Sequence, residues 1–312
     1  MQTLVFDKRN ISLDYENNCL IIRQPHQPPR TFPLTQIRKI LCLHSVTLST
    51  SLLGQLWQRG IDFITLNNRY SERSFALYPN QQRQVERRCL QYHWQQHEPS
   101  CLSLARQLCQ HRLLCNIRLL SIDTLLIETL HNCHQQMRNC QSLSELRGLE
   151  GSGQRQVFEH WRQQLAPNLG FRKRIRRPPP DPVNALLSLT YTIVMQEAIR
   201  QCTSAGLDSQ LGFYHRTAFG RHSLACDVME PVRPHCEAWV FQQFIDGNLN
   251  QKHFSGNGSG DNPCLLGKHG RELYYQNIST ALPQWQRQLK ATTRWISRNI
   301  DTSLVKQIHH DN

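Results

Sequence analysis

No apolar run in the chain approaches the roughly 20 residues needed to cross a bilayer. The opening MQTLVFDKRN meets charge at once, so the apolar core of a secretory signal is missing. From these two absences a soluble, cytoplasmic protein is expected. There is no CxxC pair among the twelve cysteines, which lie singly in apolar segments, as at Cys89, Cys101, Cys109 and Cys115. Disulfides are unusual in a cytosolic chain, so buried free thiols are expected. His131, Cys133, His134 and Cys140 are ligand-type residues without the spacing of a structural zinc site. No internal repeat is present, and no long polar tract suggests disorder, although the apolar share is a low 39%.

Acidic residues are also in short supply. Thirty-six Lys and Arg face 23 Asp and Glu, a net charge of +13. Such an excess concentrates polyanions around the protein, and nucleic acid is the partner class it favours. Arginine supplies most of it, which suits bidentate phosphate contacts.

At 312 residues, one or two domains are expected. Up to residue 78 the pattern is β-rich, with strands predicted at Thr3–Phe6, Ile11–Leu13, Cys19–Ile22, Ile37–Leu43 and Ile61–Leu66. Pro25, Pro28 and Pro29 mark a loop, and Ser49 caps a short helix through Trp57 that Gly60 closes. From about Gln81 the period becomes helical. Leu104, Leu108, Cys115 and Leu119 form one apolar stripe, and Leu187, Tyr191, Val194, Ala198 and Cys202 form another that stops at Gly206. Between them Pro178, Pro179 and Pro180 bar a helix, while Asp181 and Pro182 open the next. Ser255 to Asn262 reads as a mobile surface loop. The fold class is therefore α+β, a small β-rich domain over residues 1–78 followed by a larger all-α domain over 79–312.

Three segments of the helical part carry chemistry. LRGLEGSG holds Glu150 between Gly148 and Gly151, GLDSQLGFYHR holds His215, and RHSLACDVMEPVRP holds Asp227 and Glu230. Asp227 and Glu230 are three apart and share a helix face, with Leu224 and Val228 anchoring it. Pro231 and Pro234 follow, placing the acidic pair at a helix end close to solvent. Two carboxylates and an imidazole suit Mg²⁺ or Mn²⁺, whose remaining positions water and phosphate oxygens can fill. In a basic protein that set points to phosphodiester chemistry. Packed or solvent-facing histidine and wet-face carboxylates are the plain alternatives.

LRGLEG, RRPPPDPVNALLSLTY, GLDSQLGFYHR and SLACDVMEPVRP, in this order, resemble the signature segments of the Cas-one family, the CRISPR-associated spacer integrase. The resemblance implies a β-sandwich-like front domain and an all-α domain holding the site. It implies that Glu150, His215 and Glu230 bind the metal, with Asp227 behind them or as an alternative ligand. Arg221 and Arg233 match recurrent arginines that hold phosphate or the acidic cluster. Gln154 and Val157 depart from the family's small residues and aromatic, Ser209 from its proline and Tyr214 from its leucine. The run Arg172, Lys173, Arg174, Arg176 and Arg177 is suited to tracking DNA phosphates or to a solvated loop. Tyr191 is expected in the core.

The implied reaction is strand transfer, in which 3′-hydroxyls of a short DNA fragment, the prespacer, attack phosphodiesters at the ends of a CRISPR repeat. His215 is either a ligand or a proton-transfer group. A homodimer joined through the β domain is implied, two of which clamp a dimer of the small Cas-two protein. Whether a reverse transcriptase works beside it is open. Two rival readings remain: a structure-selective metal-dependent nuclease that cuts without joining, and a non-catalytic DNA-binding scaffold.

Overall fold

A computed structural model describes residues 2–66, 73–77, 79, 85–120, 124–256 and 262–308, with side chains through Asp301. The chain forms two compact units, Met1–Arg83 and Gln84–Asn312.

In the first unit the elements are β1 (Gln2–Phe6), β2 (Ile11–Glu16), β3 (Cys19–Gln24), β4 (Gln27–Pro33), β5 (Ile37–Cys42), β6 (Val46–Leu48), α1 (Thr50–Gln58), β7 (Asp62–Thr65) and β8 (Phe75–Leu77). They build two four-stranded sheets, ordered β1-β5-β7-β8 and β4-β3-β2-β6. One apolar cluster joins both sheets and the helix: Phe6, Ile37, Ile40 and Phe63 from the first, Ile11, Leu13, Leu20 and Ile22 from the second, Leu52 and Leu56 from α1. The β-sandwich-like expectation is met.

Local chemistry explains the turns. Asn17 and Asn18 both have positive φ and join β2 to β3 by a two-residue turn. Ser49 caps α1 by accepting from the Leu52 amide, and Gly60 takes a φ of 68° after it. The proline segment is corrected: Gln27–Pro33 is strand β4, not a loop. It lies at a sheet edge, and Pro28 and Pro29 fall at the register shift opposite Ile22 to Gln24, where neither is paired in the ladder.

The second unit contains α2 (Val85–Gln96), α3 (Glu98–Leu119), α4 (Thr124–Asn139), α5 (Leu143–Gln164), α6 (Pro182–Ser204), α7 (Ser223–Met229), α8 (Arg233–Ile245) and α9 (Lys268–Ile308). The helical pattern expected from Gln81 starts at Val85 among the described residues, since 81–84 lie outside them. Most of the expected stripe of α3 is buried at Leu104, Leu108 and Cys115, whereas Leu119 at its end is 37% exposed. On α6 Leu187, Val194, Ala198 and Cys202 are buried, and Gly206 ends the helix region with a φ of 76°. Asp181 caps α6 through the Asn184 amide, with Pro182 in its first turn. Helix α3 packs on α5 and α8, and α6 packs on α7 and α8, so five helices converge on one interior region.

All twelve cysteines are free, and nine are buried, so they act as small core hydrophobes. Of the expected loop Ser255–Asn262, residues 257–261 lie outside the described residues. No helix among the described residues is long and apolar enough to cross a membrane.

Candidate active site

Helix α7 is buried at every residue from Ser223 to Met229, which corrects the solvent-side placement of its acidic pair. Asp227 is 0% exposed and Glu230 1%. Carboxylates that deep need partners, because an unpaired buried charge is costly.

Asp227 is satisfied by the loop before the helix. Its Oδ2 accepts from the amides of Phe213 (2.6 Å) and Tyr214 (3.0 Å), and its Oδ1 from the amide of His215 (2.9 Å). The His215 Nδ1 lies 2.7 Å from the same Oδ1. A carboxylate only accepts, so Nδ1 carries the proton and donates, which leaves Nε2 as the open nitrogen. Gly212 makes this approach possible: a Cβ there would stand 2.8 Å from the Ser223 carbonyl carbon and 2.9 Å from the His215 carbonyl oxygen. Asp227 thus positions His215 instead of facing substrate.

Glu230 follows α7 and meets three other groups. Its Oε1 accepts from Arg233 Nε at 2.7 Å, its Oε2 from Arg112 Nη1 at 2.6 Å, and His215 Nε2 stands 3.7 Å from Oε1. Burial pushes the Glu230 carboxyl up, but Arg233, Arg112 and His215 outweigh it and bring it down to about 2. Glu150, on α5, binds the same Arg112 Nη1 and keeps a partly open side chain, 21% exposed. The three residues picked out from the sequence therefore meet: Glu150 and Glu230 through one nitrogen atom, Glu230 and His215 directly.

Arg112, on α3, was not foreseen. Its Nη2 donates to Gln154 Oε1 at 2.6 Å and lies 3.6 Å from Glu237 Oε1. Gln154 in turn donates to Glu237 Oε2 at 2.8 Å, and the Tyr191 hydroxyl donates to Glu237 Oε1. Burial opposes the charge on Arg112, and Glu230, Glu150 and Glu237 together overcome that and hold the guanidinium firmly protonated. Tyr191 is not plain core; its ring takes Arg233 at 5.0 Å and Arg174 at 5.6 Å, and burial raises its phenol. Gln154 and Tyr214, departures from the family pattern, also belong here: Gln154 ties Arg112 to Glu237, and the Tyr214 amide serves Asp227.

Around this point Glu150, Glu230 and Glu237 face Arg112, Glu230 also meets Arg233, and Asp227 holds His215. Glu150, Glu230 and the His215 ring offer donors of the kind a divalent cation takes. Among the described residues no three such side chains form a ready metal cage. The Arg112 Nη1 is bound between Glu150 and Glu230.

The basic residues divide. Arg172, Lys173, Arg176 and Arg177 are exposed. Arg174 is not free for phosphate: it donates to the Ile175 carbonyl (2.6 Å), Asn184 Oδ1 (3.0 Å) and Ser188 Oγ (3.0 Å). Arg233 holds the acidic cluster through Glu230, the second of the two roles expected for it. Arg221 is half-buried against the Cys226 thiol. Asn184, 0% exposed, receives the Ile175 amide and donates to the Lys173 carbonyl, fixing this segment to α6. A further feature, Phe219, is wholly exposed between His215 and α7, with Arg216 exposed nearby.

The sequence model of the family described as CRISPR associated protein Cas1 matches residues 4–280. A relative from Thermodesulfovibrio yellowstonii, CRISPR-associated endonuclease Cas1 1, is 27% identical over 306 residues, 94% of this chain and 94% of its own length. Two solved structures share the fold. A casposase bound to integration product has a TM-score of 0.84 at 18% identity, covering 97% of this chain and 91% of that one. A chain of a Cas6-RT-Cas1–Cas2 complex has a TM-score of 0.82 at 22% identity, covering 97% of this chain and 35% of that one. Nearly the whole chain being matched, this protein belongs to the Cas1 family of CRISPR-associated endonucleases.

Proposed function

We propose that Glu150, His215 and Glu230 hold a divalent cation, Mg²⁺ or Mn²⁺, and that this site joins short DNA fragments into a CRISPR repeat. The observation that carries it is the convergence of two carboxylates and the Nε2 of His215 around one buried guanidinium. When bound there, the cation neutralises charge on the attacked phosphodiester. Asp227 holds the His215 ring so that Nε2 faces Glu230. That nitrogen serves as ligand or takes the proton of the attacking 3′-hydroxyl. The hydroxyl oxygen forms the new P–O bond, and the cleaved strand of the repeat leaves with its own 3′-hydroxyl.

Exposed Arg172, Lys173, Arg176 and Arg177 bind the DNA backbone, with Arg221 contributing from the site side. The front unit serves in a homodimer, and two homodimers clamp a Cas2 dimer. The likeness in fold to a casposase with integration product and to a Cas1–Cas2 assembly that includes a reverse transcriptase supports these partners. A reverse transcriptase beside this chain is the finer form of the same reading.

The test supplies a repeat-bearing plasmid, 3′-hydroxyl fragments, Cas2 and Mn²⁺ or Mg²⁺. Covalent fragment–plasmid products are expected. Nicked plasmid with no joined product would favour the nuclease that only cuts. Activity indifferent to chelation would remove the metal from the account.

A further inference from the structure

We propose that Arg112 is the resident counter-ion of the metal site, holding Glu150 and Glu230 in the cation-free protein and yielding them to the metal by moving toward Glu237. The inference rests on the metal-site reading above and adds a residue that competes with the ion.

Arg112 sits on α3 with its side chain 9% exposed, and it spans two acidic poles. At one, a single nitrogen, Nη1, binds both Glu150 and Glu230. At the other, Nη2 bonds Gln154 and lies 3.6 Å from Glu237. Its Nε is buried and has no hydrogen-bond partner among the described residues. The guanidinium is therefore aimed by its charge and by two nitrogens only, with one donor uncommitted.

A guanidinium and a divalent cation repel, and in a buried site that repulsion is poorly screened, so they do not share the same carboxylate oxygens. Glu237 supplies the alternative. It is 1% exposed, already oriented by Gln154 Nε2 and the Tyr191 hydroxyl, and accepts a second charge without new burial. A short swing between poles keeps Arg112 compensated in both states, and the cluster stays folded with or without metal.

The two roles open to Arg112 predict opposite signs. If it merely braced the ligands, its loss would loosen Mn²⁺ binding. As a counter-ion, its loss removes a competing charge and tightens binding.

The experiment measures Mn²⁺ binding by the full chain, by electron paramagnetic resonance of the free ion, for wild type, Arg112→Gln, Arg112→Lys and Glu150→Gln. Arg112→Gln is expected to melt below wild type in EDTA, to regain most of that loss with Mn²⁺, and to bind Mn²⁺ at least about tenfold tighter. Arg112→Lys keeps the charge but its single ammonium cannot span Glu150, Glu230 and Gln154, so it binds a few-fold tighter and serves if the glutamine variant does not fold. Equal or weaker Mn²⁺ binding in the folded Arg112 variants overturns the proposal. If Glu150→Gln binds Mn²⁺ as wild type does, the metal-site reading falls first and takes this inference with it.

Discussion

The Nδ1 of His215 sits 2.7 Å from Asp227 Oδ1, on a carboxylate that also collects the backbone amides of residues 213, 214 and 215. That one buried side chain both shapes the loop and selects the histidine tautomer. The imidazole is therefore prepared before any ion or DNA arrives.

Asp227→Asn should weaken Mn²⁺ binding and strand joining together, by roughly 10–100-fold, the usual range for losing the group that orients a metal-bound histidine. The amide side chain offers one acceptor where the loop requires two. Mn²⁺ titration alongside the joining assay checks this; unchanged affinity would show that His215 needs no such orientation.

Acid stability of the metal-free protein should depend on Arg112. The Glu230 carboxyl is depressed from its ordinary 4.5 to about 2, so its stabilising contribution is complete above the ordinary value and is lost as pH falls through about 2. Arg112→Gln removes one of the cations responsible, and the acid loss should then begin at higher pH. Urea unfolding in EDTA between about pH 2 and 6 reads it. Coincident profiles for the two proteins would contradict the coupling.

Asn184→Ala should destabilise the second unit by about 1–3 kcal/mol, because it removes at once the part-buried hydrogen bonds to the Ile175 amide and the Lys173 carbonyl. DNA affinity should fall as well, since the segment carrying the exposed Arg172, Lys173, Arg176 and Arg177 loses its anchor on α6. Urea denaturation and DNA titration of the same sample separate the two effects. A stable variant with wild-type DNA binding would dismiss the anchoring role.

Phe219→Ala should leave stability within about 0.5 kcal/mol of wild type, since the ring is wholly exposed. If the ring stacks on a base beside the site, DNA binding weakens by about 1–3 kcal/mol. Unaltered affinity would assign Phe219 no role on DNA.

Much of this was legible from the chain. Ser49, Gly60, Asp181 and Gly206 behaved as their local chemistry requires, because caps and stops depend on a few neighbouring residues. Glu150, His215, Asp227 and Glu230 stood out since each sits in a compact motif. Arg112 was hidden: it is 38 residues from Glu150 and 118 from Glu230, and only tertiary packing brings them together. A faint signal existed, for Arg112 lies four residues after Leu108 and three before Cys115, a charge interrupting an apolar stripe. The burial of Asp227 and Glu230 was misjudged for a related reason. Flanking prolines mark a helix end but not its depth, and α7 is covered by α6, α9 and the loop over residues 213–215. Strand β4 escaped because prolines read as loop unless the edge position is known.

The central claim is that Glu150, His215 and Glu230 act as one metal-dependent strand-joining site. Its most direct test is the joining of 3′-hydroxyl fragments to a repeat-bearing plasmid by wild type, Glu150→Ala and His215→Ala, with DNA binding measured on the same samples. The account predicts that both variants bind DNA and that neither joins it. Joining retained in both variants would contradict it.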